Sequence, residues 1–277
     1  MGRRKRSTLS RISLLFLFAG AIGAVAFWGC EKTSHEKRET RKEVPPPHPA
    51  HHPPATHSGP RLAIIIDDMG NNQAEDDPVL ALPFPLTVSI LPHHPLSSEI
   101  ANEASSRGDE VMLHLPMESE STTTPSESVE LRVGMSAKEV QSIFAGMLET
   151  IPHVSGVNNH EGSKATADPA LMDALMPALR GDNLFFIDSR TTASTVAFDA
   201  ARHYGVPTAS RKVFLDDSLD AKAIRDQIEL AARDADRDGD AIAIGHPHTE
   251  TVTALRETLP GLRKRGLQLV FASDLVH

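Results

Sequence analysis

Two adjacent aspartates, Asp67-Asp68, stand where the apolar run Leu62–Ile66 ends, and Gly70 follows them in the segment IIIDDMGNN. Other apolar runs also end on residues that ionise or bind metals. EVMLHLPME supplies His114, with Glu118 four positions later, and GVNNHEGSKAT supplies Asn159 and His160. FFIDSRTT supplies Asp188 and Arg190, and AIAIGHPH supplies His246 and His248. Each type has a plainer use: adjacent carboxylates cap helices, a lone histidine is a hydrogen-bonded structural residue, Asp188 caps a helix or pairs with Arg190, and Asp216-Asp217 in VFLDDS makes a turn. Several strand ends that all present Asp or His are a stronger pattern than any one of them. Two imidazoles and one carboxylate form a three-ligand site for catalytic zinc and leave a position for water. The ion acidifies that water and polarises a carbonyl oxygen. A second carboxylate beside the ligand can take the water's proton, and a further histidine can protonate a leaving amine.

These residues act together only if the fold gathers them. Short apolar runs, of the kind expected for strands buried on both faces, occur at Leu62–Ile66, Leu86–Leu91, Glu110–Leu115, Ser155–Asn159, Leu184–Ile187, Lys212–Leu215, Ala241–Ile244 and Leu267–Phe271. Helical signals lie between them. Ser136 and Glu139 make a capping box before apolar residues at helical spacing, and Asp168-Pro169 opens a second helix that Gly181 stops. Asp220 caps a third helix, ending near Gly239, and Thr249–Lys264 reads as a fourth. Alternating strands and helices predict a parallel sheet with right-handed crossovers, as a barrel or a doubly wound open sheet. In both, chemistry collects at the C-terminal ends of the strands. No glycine-rich phosphate loop follows the first strand, which argues against nucleotide binding.

The chain has 277 residues and a formal net charge of -9, which argues against nucleic-acid binding. Aromatics are 4% of the residues, with one Trp and one Tyr, so no stacking groove is evident. Cys30 is the single cysteine, so any metal in the domain must be held by Asp, Glu or His. Residues 1–30 read as a signal or membrane-anchor segment: Arg3, Arg4, Lys5, Arg6 and Arg11 precede the uncharged run Ile12–Trp28, an order that sends the rest of the chain across the membrane. Cleavage, retention as an anchor and lipidation at Cys30 are its three possible fates. Residues 31–60 form a Pro/His-rich linker, ending VPPPHPAHHPPATHSGP, whose His48, His51, His52 and His57 are most simply a solvated tether. Residues 61–277 form one domain, expected in the periplasm or on the outer side of the inner membrane.

The ordered segments LAIIIDDMG, TVSILP, EVMLHLPME, GVNNHEGSKAT, FFIDSRTT, RKVFLDD and AIAIGHPH resemble the divergent polysaccharide deacetylase family across essentially all of Arg61–His277. The resemblance implies a (β/α) barrel of about seven strands, a divalent metal (zinc by expectation), and removal of acetyl groups from an envelope or extracellular polysaccharide such as a peptidoglycan-type glycan. It implies Asp67 as general base and Asp68 as metal ligand. The wider superfamily pairs its metal histidines as His-x-x-x-His, whereas here His114 is followed by Glu118. His160 is therefore expected to complete the set, with His246 and His248 as rivals for that place and as the catalytic acid. The superfamily's arginine is absent from its usual place, and Arg190 or Arg211 is the candidate replacement. Glu118, Asn159, Asp188 and Arg190 are expected to face substrate. The alternative is a catalytically inactive envelope barrel that binds a glycan or a protein.

Overall fold

The first strand, β1 (Arg61–Met69), is buried along almost its whole length. Its alternate residues serve two cores. Leu62, Ile64 and Ile66 pack outward against helices, while Ala63 and Ile65 point into a smaller cluster with Met112, Phe185, Ile187, Ile242 and Ile244. A strand covered on both faces needs a continuous apolar run, and that is how LAIII reads.

The computed structural model describes residues 59–120 and 127–277. The strands after β1 are β2 (Thr87–Ile90), β3 (Glu110–Met117), β4 (Val154–Glu161), β5 (Phe185–Asp188), β6 (Thr208–Ser210), β7 (Val213–Phe214), β8 (Asp240–Gly245) and β9 (Gln268–Val270). All pair in parallel, in the order β6-β5-β4-β3-β2-β1-β8-β7, with β9 on the first residues of β1. Arg211 and Lys212 join the two ends of that order, and His277 pairs with Thr208 on β6 through two backbone hydrogen bonds of 3.2 Å. The Arg211 N–H donates to Asp188 O (3.0 Å) and the Lys212 N–H to Ile242 O (2.9 Å). The wall thus curls into the expected (β/α) barrel, bridged at the seam by chain rather than by a full ladder.

The helices are α1 (Gln73–Leu80), α2 (Ser97–Arg107), α3 (Ala137–Leu148), α4 (Pro169–Gly181), α5 (Ala197–His203), α6 (Ala221–Asp238) and α7 (Thr249–Lys264). Ser136 and Glu139 form the capping box of α3, Asp168 caps α4 and Asp220 caps α6. Three helices and one strand carried no signal in the sequence. α1 and α2 are rich in polar residues, α5 has seven residues, and β6 has three. Their apolar faces are too small to register as periodicity. The expected strand Lys212–Leu215 shortens to β7. The signal or anchor segment, Cys30 and the linker up to residue 58 lie outside the described residues. Among the described residues no helix is long and apolar enough to cross a membrane.

The floor of the barrel is packed hydrocarbon. Gly156 has to be glycine there, because a Cβ would run into the ring of Phe185. Inward positions one layer higher on the same strands are polar: Asp67 on β1, Ser89 on β2, His114 on β3 and Asn158 on β4 are all buried.

Candidate active site

Successive strand residues point to opposite faces, so Asp67 and Asp68 should not both face inward. A bulge allows it. The register of β1 against β2 shifts between Ile66 and Met69, and Asp68 has a left-handed backbone with φ of 58°. That conformation costs an ordinary residue roughly 1–2 kcal/mol, less for aspartate. The turn after it is equally constrained. Gly70 has φ of 98°, and a Cβ would come within 2.9 Å of Ile90 Cγ2. Its N–H donates to Asp76 Oδ2 at 3.0 Å, so a buried carboxylate on α1 pins the loop. Burial pushes the Asp76 carboxyl up to about 6.

Three donor atoms converge at this bulge. Asp68 Oδ1 lies 3.2 Å from His114 Nε2 and 3.1 Å from His160 Nδ1, and the two ring nitrogens are 3.1 Å apart. Asp68 Oδ1 is buried yet has no aligned hydrogen-bond donor. Three atoms at the corners of a near-equilateral triangle are arranged like ligands. The edges are close to the roughly 3.3 Å spacing of a tetrahedral ion with bonds of about 2.0–2.1 Å. The residues present fit a divalent metal.

Asn158 sets the state of this triad. Its amide nitrogen donates to Asp67 Oδ1 (2.9 Å) and reaches Oδ2 (3.2 Å). Its oxygen therefore faces His114 Nδ1 (2.9 Å) and accepts from Ser89 Oγ (2.6 Å). His114 therefore keeps a proton on Nδ1, and Nε2 is the nitrogen that faces Asp68 and His160. Asp67 is buried, with one oxygen 3.6 Å from His114 Nε2. Burial raises its carboxyl above the usual range against the opposing pull of His114 and His246. Burial would lower His114, but the charges of Asp67 and Asp68 carry it above the ordinary imidazole value. Burial also works against ionisation of Asp68, yet the two imidazoles hold its carboxyl well below the carboxylate range.

On the strand next to β1, His246 follows β8 with its Nε2 3.9 Å from Asp68 Oδ2. Its Nδ1 donates to Asp216 Oδ1 (2.9 Å) and its backbone N–H to Asp216 Oδ2 (2.7 Å). Thr251 Oγ1 donates to the same carboxylate at 2.7 Å. Burial would lower His246, but the Asp216 hydrogen bond and the charges of Asp67 and Asp68 push it up to about 9. Phe214 stacks on the His246 ring, with centroids 6.4 Å apart, and the Arg211 guanidinium lies 3.6 Å over Phe214. His248 is the N-cap residue of α7, its ring 5.9 Å from that of His246. Asp216, His246 and His248 also lie close enough together to be a second group with metal-binding side chains.

The structure therefore brings Asp67, Asp68, His114, His160 and His246 to one place, with His248 beside them. The other residues expected to face substrate lie as follows. Asp188 is fully buried, its oxygens accepting from the Arg190 N–H (2.8 Å) and Thr195 Oγ1 (2.9 Å). Ile187 faces the barrel interior, so Asp188 must face out. Asn159 likewise turns away, donating to Glu161 O (2.8 Å) and accepting from the Ser189 N–H (2.9 Å). Glu118 is taken up by Lys164 (2.6 Å) and the Val133 N–H (2.9 Å) and braces loops beside the rim. Arg190 is exposed, with a left-handed φ of 50°. Arg211 does not touch Asp67; it donates to Ser189 O (2.6 Å) and Arg190 O (2.9 Å). Asn158 and Asp216 are the members that the sequence reading missed. The period of β4 could have found Asn158, since Gly156, Asn158 and His160 share one face.

The comparisons with known proteins agree with this architecture. The divergent polysaccharide deacetylase family matches residues 64–276. The uncharacterized protein YibQ of Escherichia coli K12 is 42% identical over 217 residues, covering 78% of this chain and 67% of that protein. An uncharacterized Agrobacterium tumefaciens C58 protein of known crystal structure superposes with a TM-score of 0.77 at 23% identity, covering 81% of this chain and 92% of that one. The catalytic domain of a peptidoglycan N-acetylglucosamine deacetylase from Eubacterium rectale shares the fold at a TM-score of 0.50 and 14% identity, over 81% of this chain and 95% of its own. This chain belongs to the divergent polysaccharide deacetylase family.

Proposed function

We propose that the domain is a metal-dependent hydrolase that removes acetyl groups from an envelope polysaccharide, with a peptidoglycan-type glycan as the substrate class. The observation that carries this reading is the Asp68–His114–His160 triangle, with the buried Asp67 carboxylate and the His246 imidazolium beside it. Asp68, His114 and His160 would hold the ion, and zinc suits a donor set of two imidazoles and one carboxylate. Such an ion supplies Lewis acidity toward the acetyl carbonyl and lowers the pKa of water.

The remaining work falls to the chain's own groups. Asp67 accepts the proton of the attacking water, oriented by the Asn158 amide. Its burial makes it a stronger base than an ordinary aspartate. His246, held as imidazolium by Asp216, donates its Nε2 proton to the departing sugar amine or alcohol. The two groups sit beside Asp68 on neighbouring strands and start in opposite protonation states, as a base and an acid must. The basic, apolar start of the chain supports delivery of the domain to the periplasm or to the outer face of the inner membrane. The test is acetate release from N-acetylated glycan strands by the purified chain. Release that chelation abolishes and zinc restores supports the reading. Glycan binding that survives both chelation and Asp67→Asn, without acetate release, would replace it with a non-catalytic glycan-binding barrel.

A further inference from the structure

The seam of the barrel is incomplete. β7 meets β8 only at Ala243 and Ile244, so the lower half of β8 has no strand partner on that side except through the Lys212 N–H. A cavity of about 620 Å3 opens there, between β6 and β8. Phe198, Ile242 and Leu275 give it apolar walls, and Arg190, Arg202 and Lys212 line it with cations.

The charges are not balanced locally. Asp240, the acidic member of the lining, is already paired with Arg61 at 3.0 Å. Lys212 reaches Asp238 at 3.4 Å. Among the described residues, the guanidinium groups of Arg190 and Arg202 have no carboxylate partner. Arg190 also occupies a left-handed backbone position where glycine or asparagine would be less strained. Its backbone is held there by the Asp188 carboxylate and by Arg211. Cavities of roughly 300–1,000 Å3 with apolar walls and a few placed polar groups are the usual form of small-molecule sites.

We propose that this seam cavity is a second ligand site, distinct from the metal-ligand triangle, which binds an oxyanion carried on an apolar body. Arg190 and Arg202 bind the carboxylate or phosphate group, and the Phe198, Ile242 and Leu275 wall takes the apolar part. Guanidinium forks suit both kinds of oxyanion. A lipid-derived amphiphile and an anionic sugar both carry such a group, and the apolar wall favours the amphiphile.

Calorimetric titration of the full chain separates these cases, using octyl phosphate, octanoate, glucuronate and neutral octyl glucoside below their micellar concentrations. The expected result is saturable binding of octyl phosphate and octanoate that weakens as salt is added. The double variant Arg190→Gln/Arg202→Gln should bind them at least tenfold more weakly. Both side chains are exposed, so the variant should keep the parent's melting temperature, and Phe198→Ser should also weaken octyl phosphate, because the Phe198 ring both walls the cavity and carries the Arg202 guanidinium at 5.9 Å. Octyl glucoside binding as tightly as octyl phosphate would overturn the oxyanion site. Glucuronate binding as tightly would overturn the apolar part of the assignment. No binding of either amphiphilic anion, or full affinity in the double variant, would overturn the whole proposal.

Discussion

The interior of this barrel is one set of alternating positions used in two ways. At the floor, inward residues are hydrocarbon: Ala63 and Ile65 on β1, Met112 on β3, Phe185 on β5 and Ile242 on β8. One layer up, the same strands present Asp67, His114, Asn158 and the residues that come after β5 and β8. The floor is filled by shape, and its glycine at 156 exists to seat one ring. The rim is filled by hydrogen bonds that bring three metal-binding atoms to one point. Below, a change of volume should cost stability and spare the chemistry. Above, a change of one polar atom should cost chemistry and spare the fold.

The largest expected effect is at the rim. Asp67→Asn should lower kcat by about 10²–10⁴, the usual contribution of a positioned base. Zinc affinity, read by calorimetry, should remain, because Asp67 is outside the ligand triangle. The neighbours Asn158 and Asn159 give the next contrast. Asn158→Ala should reduce metal affinity or activity about 10–100-fold through loss of the groups that orient His114 and Asp67. Asn159→Ala should act on melting temperature instead, since its amide ties Glu161 and Ser189 together. Equal effects of the two on metal affinity would contradict the assigned phase of β4.

At the floor, Gly156→Ala should destabilise by about 1–3 kcal/mol through overpacking against Phe185. That corresponds to a loss of about 2–4 °C in Tm per kcal/mol for a domain of this size. The folded variant should still bind zinc with the parent's affinity.

The dependence on pH sharpens the rim further. His246 is raised to about 9, so its acid form persists through neutral pH and disappears above that value. Activity should therefore fall as pH rises through about 9. Asp216→Asn, which removes the hydrogen-bonded carboxylate that holds that proton, should move the alkaline limb to lower pH. The smallest effect concerns Asp76 under the Gly70 turn. Its folded value of about 6 lies above the ordinary 3.8, so the folded state binds the extra proton between them and stability falls as pH rises through that window. Asp76→Asn keeps an acceptor for the Gly70 N–H and should flatten this dependence, as read by urea unfolding at pH 4 and pH 7.

The amino-acid sequence carried most of the fold and the outline of the site. Uninterrupted apolar runs announced the buried parallel strands, and Ser136, Asp168 and Asp220 announced three helices that form where expected. Asp68, His114 and His160 were legible because strand ends share a rim. The sequence is least informative where facing depends on a phase of one residue. Asp188 and Asn159 sit beside inward positions rather than on them, and the motif alone does not separate neighbours. Asp216 resembled a turn because β7 is only two residues long. The choice between His246 and His248 rested on a hydrogen bond to Asp216, a residue about 30 positions away in the chain. The bulge at Asp68 left no mark in composition, although it is what turns both aspartates inward.

The central claim is that the rim is a metal site built on three named atoms, and an anomalous-scattering map of zinc-soaked crystals tests it most directly. One strong peak is expected within bonding distance of Asp68 Oδ1, His114 Nε2 and His160 Nδ1. A map with no peak at saturating zinc, or with its peak on Asp216 and His248 and none at the triangle, would contradict it.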